Sequence, residues 1–432
     1  MQKLARFSPY NLPNPIIMKK MFTVTLLAAM LMTTTTACDK SEPQKNEANE
    51  RHDIALTKAQ QDLCGTSNDF TFDFMKILAS KEQKNETIFA SPFSLQTVLA
   101  MTAEGAAGDN REEMLTALKL KGFSDEEITG YFKMLIPALQ EVDKTTVMEI
   151  ANSFWSKKAI AIKKDYIAKL QTNYYAECQT LKPDSFAAAH DVNNWCSKKT
   201  HGMINQIVDE VPADQMVALI NALYFKGEWS SPFDEKNNYD DKFHNYNGST
   251  TKVTLMKRET TMNVYRDKEV AALSLPYGNE AYAMTVILPN EGVNVDDIVA
   301  NLDAESWNRY RFYGQRHPVT ISLPKFETEY TASELCISSL KDMGMKKAFD
   351  PTGDFTGISN TSIYIDQIIH KARVIVNEKG TEAAAVSYIG MRLGSAAVPQ
   401  EHVYFKVDRP FIYAISEVST GAIVFIGIQK QF

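Results

Sequence analysis

An α+β domain is what the amino-acid sequence predicts, on three grounds. Apolar residues recur at helical spacing early in the folded region, strand-like runs dominate its end, and no repeat or interior linker divides residues 63–432. Taken in order, Asn68 or Asp69 offers a cap for a helix whose apolar face is Phe70, Phe74, Ile77 and Leu78. Ser91-Pro92 starts a second helix, with Ser as cap and Pro in the first turn, where its missing N–H costs nothing. Leu95, Val98, Leu99 and Thr102 continue it. The unbroken apolar run from Met216 to Phe225 predicts a strand covered on both faces. Val319–Leu323 and Ala372–Asn377 alternate like sheet strands. The tail supplies short β runs, Val403–Val407, Phe411–Ile415 and Ala422–Ile428, broken by Pro410 and Gly421.

Upstream of the domain the chain reads as an export leader. Residues 1–17 lack an apolar pattern and read as an extension before a true start at Met18. Lys19-Lys20 then precede Met21–Met32, an apolar core too short to span a bilayer, so residues 18–37 read as a signal peptide. A small residue before cysteine, as in Ala37-Cys38, is where a bacterial lipoprotein signal is cut and the thiol acylated. Thr35 stands where such signals carry an aliphatic, and plain cleavage after Ala37 is the alternative. Residues 38–62 are polar and charged, as in a tether that holds a folded domain off a membrane. The expected location is the cell envelope, as a lipoprotein, or outside the cell.

The bulk properties narrow the function classes. The 432 residues, 44% hydrophobic and 23% charged, provide for a sizeable core, and a net charge of −7 argues against a nucleic-acid partner. Lys157-Lys158 and Lys163-Lys164 read as solvated strand ends. Cys64, Cys178, Cys196 and Cys336 have no metal-ligand spacing and are expected as buried free thiols, although export permits disulfides. No G-x-S-x-G elbow, H-E-x-x-H, phosphate loop or G-x-G-x-x-G is present, nor a pair of the seven histidines at metal-binding helical spacing. Nothing gives a positive reason to propose catalysis, a metal or a cofactor.

The most informative stretch follows Ala372–Asn377. Glu378-Lys-Gly-Thr-Glu-Ala-Ala-Ala-Val-Ser387 carries almost no bulk, which suits backbone that slides into a tight slot better than a settled core. In a strand, Thr381, Ala383, Ala385, Ser387, Ile389 and Met391 share one face. Gly380, Glu382, Ala384, Val386, Tyr388, Gly390 and Arg392 share the other. The first face is small or apolar, and both charges fall on the second. A segment inserted between strands needs that division.

Several segments, in order over residues 66–432, resemble the serpins. They are Asn85–Ser94 running on to Ala103–Gly108, Asn193–Ile204, Asn221–Trp229 with Phe233, and Leu323-Pro-Lys-Phe326. Further on come Ala348–Asp350 with Asp354–Gly357, His370-Lys-Ala372, the segment from Glu378, and Asp408-Arg-Pro-Phe411. Asn110 and Cys196 depart from the pattern, standing where threonine and an aliphatic are usual. The resemblance implies helices packed around a large, mainly antiparallel sheet plus smaller sheets, with an exposed reactive-centre loop. It implies a monomeric suicide-substrate inhibitor without a cofactor, acting on a serine protease (elastase-, subtilisin-, chymotrypsin- or trypsin-like) or a papain-like cysteine protease. The alternative is a serpin-fold binding or scaffold lipoprotein that inhibits nothing.

Roles follow by resemblance at the matching positions. Ser91, Ser94, Asn221 and His370 form the polar cluster where the large sheet parts. Trp229, Lys325 and Glu378 mark where the loop enters, with a Lys325–Glu378 ion pair. Glu378, Gly380, Thr381, Glu382, Ala383, Ala384, Ala385, Val386 and Ser387 are the hinge. Family spacing puts the reactive bond at Gly394–Ser395, with Met391, Arg392 and Leu393 as nearby registers, and Cys38 is the lipid anchor.

Overall fold

The computed structural model describes residues 49–332, 334–365, 367–368, 370–381 and 401–432. Helix α1 runs from Lys58 to Lys81, and Thr57 caps it in a reciprocal box with Gln60. The expected cap at Asn68 or Asp69 is therefore a correction: the helix starts about three turns earlier, inside the stretch read as tether. Asn68 instead turns inward, donating to Gly421 O and accepting from Ile423 N. Phe70, Phe74 and Leu78 are buried as expected, while Ile77 is half-buried.

Helix α2 (Pro92–Ala103) is buried nearly all round and starts at the Ser91 cap. Helices α3 (Gly108–Ala117) and α4 (Asp125–Glu141) follow. Ser124 and Glu127 box the start of α4, and Asp125, Glu126 and Glu127 set negative charge at the positive end of its dipole. Helices α5 (Lys164–Asn173), α6 (Ser185–Lys199), α7 (Val295–Ala300), α8 (Ala304–Phe312) and α9 (Glu334–Asp342) complete the helical elements used below.

The early strands are β1 (Ile88–Ala90), β2 (Val147–Lys157), β3 (Glu177–Leu181), β4 (Val217–Glu228) and β5 (Tyr239–His244). Then come β6 (Thr250–Arg266), β7 (Val270–Tyr277), β8 (Tyr282–Pro289), β9 (Gln315–Pro324) and β10 (Phe326–Ala332). The last are β11 (His370–Asn377), β12 (Gly380–Thr381), β13 (Val403–Lys406), β14 (Phe411–Glu417) and β15 (Ile423–Gln429). A nine-stranded sheet takes the order β1-β15-β14-β8-β7-β6-β9-β13, with β5 alongside β6. A six-stranded sheet takes the order β10-β11-β12-β4-β2-β3. All its pairings are antiparallel except β2 with β3.

The six-stranded sheet positions the site. Along β4, Leu223 and Phe225 face the main core, while Ala222 and Tyr224 pack with Trp155, Val192 and Trp195 beneath α6. Two-sided cover thus holds for Ala222–Phe225. It fails for Val217–Asn221, which are only half-buried because they line a cavity.

Candidate functional site

The upper end of the six-stranded sheet is a latch built around the turn from β11 to β12. Asn377 Oδ1 accepts the Lys379 N–H at 3.0 Å and closes the turn. Trp229 N donates to Lys379 O at 2.8 Å, Trp229 Nε1 to Asn377 O at 3.0 Å, and Phe233 N to Glu378 O at 2.8 Å. The Trp229 ring stacks on Tyr277 at 4.4 Å, and Tyr277 shares a 2.7 Å hydrogen bond with the Thr381 hydroxyl. At Gly380 a side chain is impossible without movement, since a Cβ would stand 2.0 Å from Gly227 O. Thr381 is 2% exposed and lies between two strands, opposite Val376 of β11 and Gly227 of β4.

Glu378 closes the latch electrostatically. Its carboxylate lies 3.1 Å from Lys325 Nζ and accepts from Asn238 Nδ2 at 2.6 Å. Burial alone would raise its pKa, but backbone and Asn238 hydrogen bonds and the Lys325 charge outweigh it and hold the group below the usual glutamate value. The Lys325 side chain is 52% exposed, so solvent weakens this pair.

A polar cluster lies lower, where α2 passes behind the sheet. Ser91 N donates to His370 Nε2 at 2.9 Å, and Ser91 Oγ to Val424 O at 2.7 Å. Ser94 N donates to Ser91 Oγ at 3.2 Å, and Ser94 Oγ donates to Asn221 Oδ1. Asn221 Nδ2 passes the chain to Asn152 Oδ1 on β2, and Asn152 Nδ2 donates to Tyr174 O at 2.7 Å. Burial pushes the His370 pKa down to about 4, so the ring is neutral at ordinary pH and free to accept the Ser91 N–H.

Between the latch and this cluster, β11 and β4 do not pair with each other among the described residues; β12 alone bridges them. Below lies a cavity of about 340 Å³, lined by Leu95 and Val98 of α2, Leu219 and Asn221 of β4, Ile368 and His370. The arrangement offers two strand edges and an apolar floor to an extended segment that enters at Thr381.

All positions assigned from sequence to the polar cluster and to the loop-entering region thus come together in two neighbouring groups. Glu382 to Ser387, Met391 to Ser395 and Cys38 lie outside the described residues. Sequence reasoning missed Asn152, Asn238 and Tyr277, which no motif marks. Each reaches the site from another strand or turn. Cys64, Cys196 and Cys336 are buried free thiols and Cys178 is a half-buried one. Asn110, one of the departures, donates to Asp354 O at 3.0 Å and still ties α3 to the 354–357 turn. The other, Cys196, lies on the buried face of α6 and packs in the cluster with Trp155, Ala222 and Tyr224 as an aliphatic side chain would.

Comparison with known proteins bears out the family and the fold. Residues 65–430 match the family described as serpin (serine protease inhibitor). A serpin-like protein of Thermococcus kodakarensis is 33% identical over 380 residues, covering 87% of each chain. Iripin-2 of Ixodes ricinus is 30% identical over 87% of this chain and 95% of its own. The native-state crystal structure of the thermophilic serpin Tengpin superposes with a TM-score of 0.77 at 28% identity, over 89% of this chain and 97% of that one. With family match, relatives and fold in accord, this chain belongs to the serpin family, whose members are generally protease inhibitors rather than enzymes.

Proposed function

We propose that the chain is a suicide-substrate inhibitor of serine proteases whose severed loop inserts between β11 and β4. One observation supports this: Gly380 and Thr381 of β12 already sit between β11 and β4, paired with both. An inserted strand keeping that register would set Ala383 opposite Phe225 and Val374, Ala385 opposite Leu223 and Ala372, and Ser387 opposite Asn221 and His370. Small side chains meet the core-facing residues of both strands. The Ser387 hydroxyl would then meet the polar cluster, where it could replace a bond broken as the strands part.

The reaction would run as follows. The protease's serine oxygen bonds to the Gly394 carbonyl carbon, or to that of Met391, Arg392 or Leu393 in a shifted register. The bond to the next nitrogen breaks, and that nitrogen leaves as an amine carrying the serine's proton. The severed segment enters the sheet from Thr381 downward, about fourteen residues at roughly 3.3 Å each, or some 46 Å. The tethered protease travels with it, and its oxyanion site distorts before water can cleave the ester. Small residues on the inserting face keep insertion ahead of hydrolysis.

Elastase- or subtilisin-like enzymes suit the alanines and valine after Ser395, Arg392 suits trypsin-like ones, and Met391 or Leu393 chymotrypsin-like ones. Residues 18–37 would export the protein, Cys38 would carry a lipid, and the polar residues that follow, ahead of α1, would link it to the serpin domain as a monomer at the envelope surface. Among the described residues no helix is long and apolar enough to cross a membrane.

The test is incubation of the chain with a protease panel, scored for SDS-stable adducts, with mass spectrometry of the released peptide to fix the bond. Adduct with at least one serine protease is expected. Quantitative loop cleavage without adduct, and without a rise in melting temperature on nicking, would instead make the protein a non-inhibitory scaffold.

A further inference from the structure

Edge strand β13 presents a bare aromatic ring beside the C-terminal root of the loop. Tyr404 is 77% exposed, between Val403 at 5% and Phe405 at 2%. Strand alternation drives its neighbours into the core and leaves its ring outside. Among the described residues β13 pairs only with β9, Tyr404 opposite Thr320, so the ring stands on the last described strand of its sheet.

The ring's surroundings are held still. His402 packs against Tyr404 at 4.9 Å between centroids and is pinned through Nε2 to Thr320 Oγ1 at 2.8 Å. Arg266 grips both oxygens of the Glu401 carboxylate at 3.1 and 2.7 Å, and His317 Nδ1 meets Glu401 O at 3.1 Å. On β6, one strand beyond β9, Lys257 and Glu259 pair at 3.3 Å. An exposed, preorganised aromatic inside a rim of paired charges has the character of an interface anchor, because little side-chain freedom remains to be lost on contact.

Its position says what would cover it. The described residues resume at 401, and Tyr404 follows Ser395 by nine positions, at most about 30 Å of extended chain. A protease of some 230 residues is roughly 40 Å across. An enzyme clamped on the reactive bond therefore overhangs β13 with the side of its cleft that holds the residues following that bond.

We propose that Tyr404, braced by His402, is a secondary docking contact for the serine protease held on the loop, and that it helps set which proteases react quickly. The contact rests on the inhibitory reading above and adds to it a recognition element outside the loop. It acts on encounter, before acylation, so it governs the rate of association and leaves the later partition between adduct and cleaved product alone.

The test compares the parent chain with Tyr404→Ala and Tyr404→Phe, using whichever panel protease forms adduct fastest with the parent. Tyr404→Ala is expected to slow adduct formation about tenfold, the scale of losing one interface anchor. Tyr404→Phe, which keeps the ring, should stay within about threefold. Stoichiometry of inhibition and melting temperature should match the parent in both. An association rate for Tyr404→Ala within about twofold of the parent would overturn the proposal, as would a slowed rate accompanied by altered stoichiometry or melting. The parent lane is the separate control: if it gives no adduct with any protease, the inhibitory reading fails, and the docking contact with it.

Discussion

The two ends of the six-stranded sheet are built on opposite principles. At the top, Trp229, Tyr277, Asn238 and Lys325 occupy the polar groups of residues 377–381, and Gly380 lies against Gly227. At the bottom, β4 is half-buried, a cavity of about 340 Å³ lies behind it, and polar side chains bond to one another instead of to the ladder of a neighbouring strand. The upper end fixes where a new strand must begin. The lower end leaves contacts unmade that such a strand could make, and under the proposed mechanism that deficit would supply the free energy for insertion.

The sharpest way to break this comparison is to spoil the point where the ends meet. Thr381→Arg places a charge in a site 2% exposed, where the described hydrogen-bond partner of the side chain is the Tyr277 hydroxyl. Insertion should stall and the protein become a substrate, with the adduct yield falling about tenfold or more. Unchanged adduct on a denaturing gel would show that the slot is not used.

Acid should act next most strongly, through the lower cluster. The folded-state pKa of His370, about 4, lies below its unfolded value near 6.5, so between those values the unfolded chain binds the extra proton. Stability should therefore fall as pH drops from about 6.5 to 4, by up to about 3 kcal/mol, and His370→Gln should flatten that slope in urea titrations. Glu378 contributes lower down: its depressed pKa adds stability above the ordinary glutamate value that disappears as pH falls through the folded pKa.

Smaller effects sharpen the contrast. Lys325→Met removes the half-exposed partner of Glu378 while Asn238 remains, and should cost about 1 kcal/mol by thermal melting. Leu219→Phe adds bulk to the lower cavity and should raise the stability of the uncleaved protein by about 1 kcal/mol, while lowering the ratio of adduct to cleaved product. A stabilised variant with an unaltered ratio would separate the cavity from the inhibitory mechanism.

Much of the fold was legible locally. The Ser91-Pro92 start follows from capping chemistry, the strand at 370–377 from period-two alternation, and the β-rich tail from short apolar runs broken by Pro410 and Gly421. The start of α1 was misplaced because its first turn, Lys58 to Asp62, is polar on all sides and carries no hydrophobic period. The Thr57–Gln60 box was the signal to read instead. At the site, Lys325 with Glu378 and Ser91 with His370 were placed only through family resemblance, since no local pattern joins residues so far apart in the chain. Asn152 was out of reach altogether, because its role exists only through its register opposite Asn221.

The amino-acid order alone determined a run of small residues after Glu378 with one small or apolar face in strand alternation, since side-chain bulk and alternation are properties of neighbours along the chain. Where that face goes was decided by tertiary structure. The pairing of Thr381 with both Val376 and Gly227, the cavity behind β4 and the exposure of Tyr404 all depend on strands distant in sequence being brought alongside one another. Register between strands is set by the whole core at once, and no single segment encodes it.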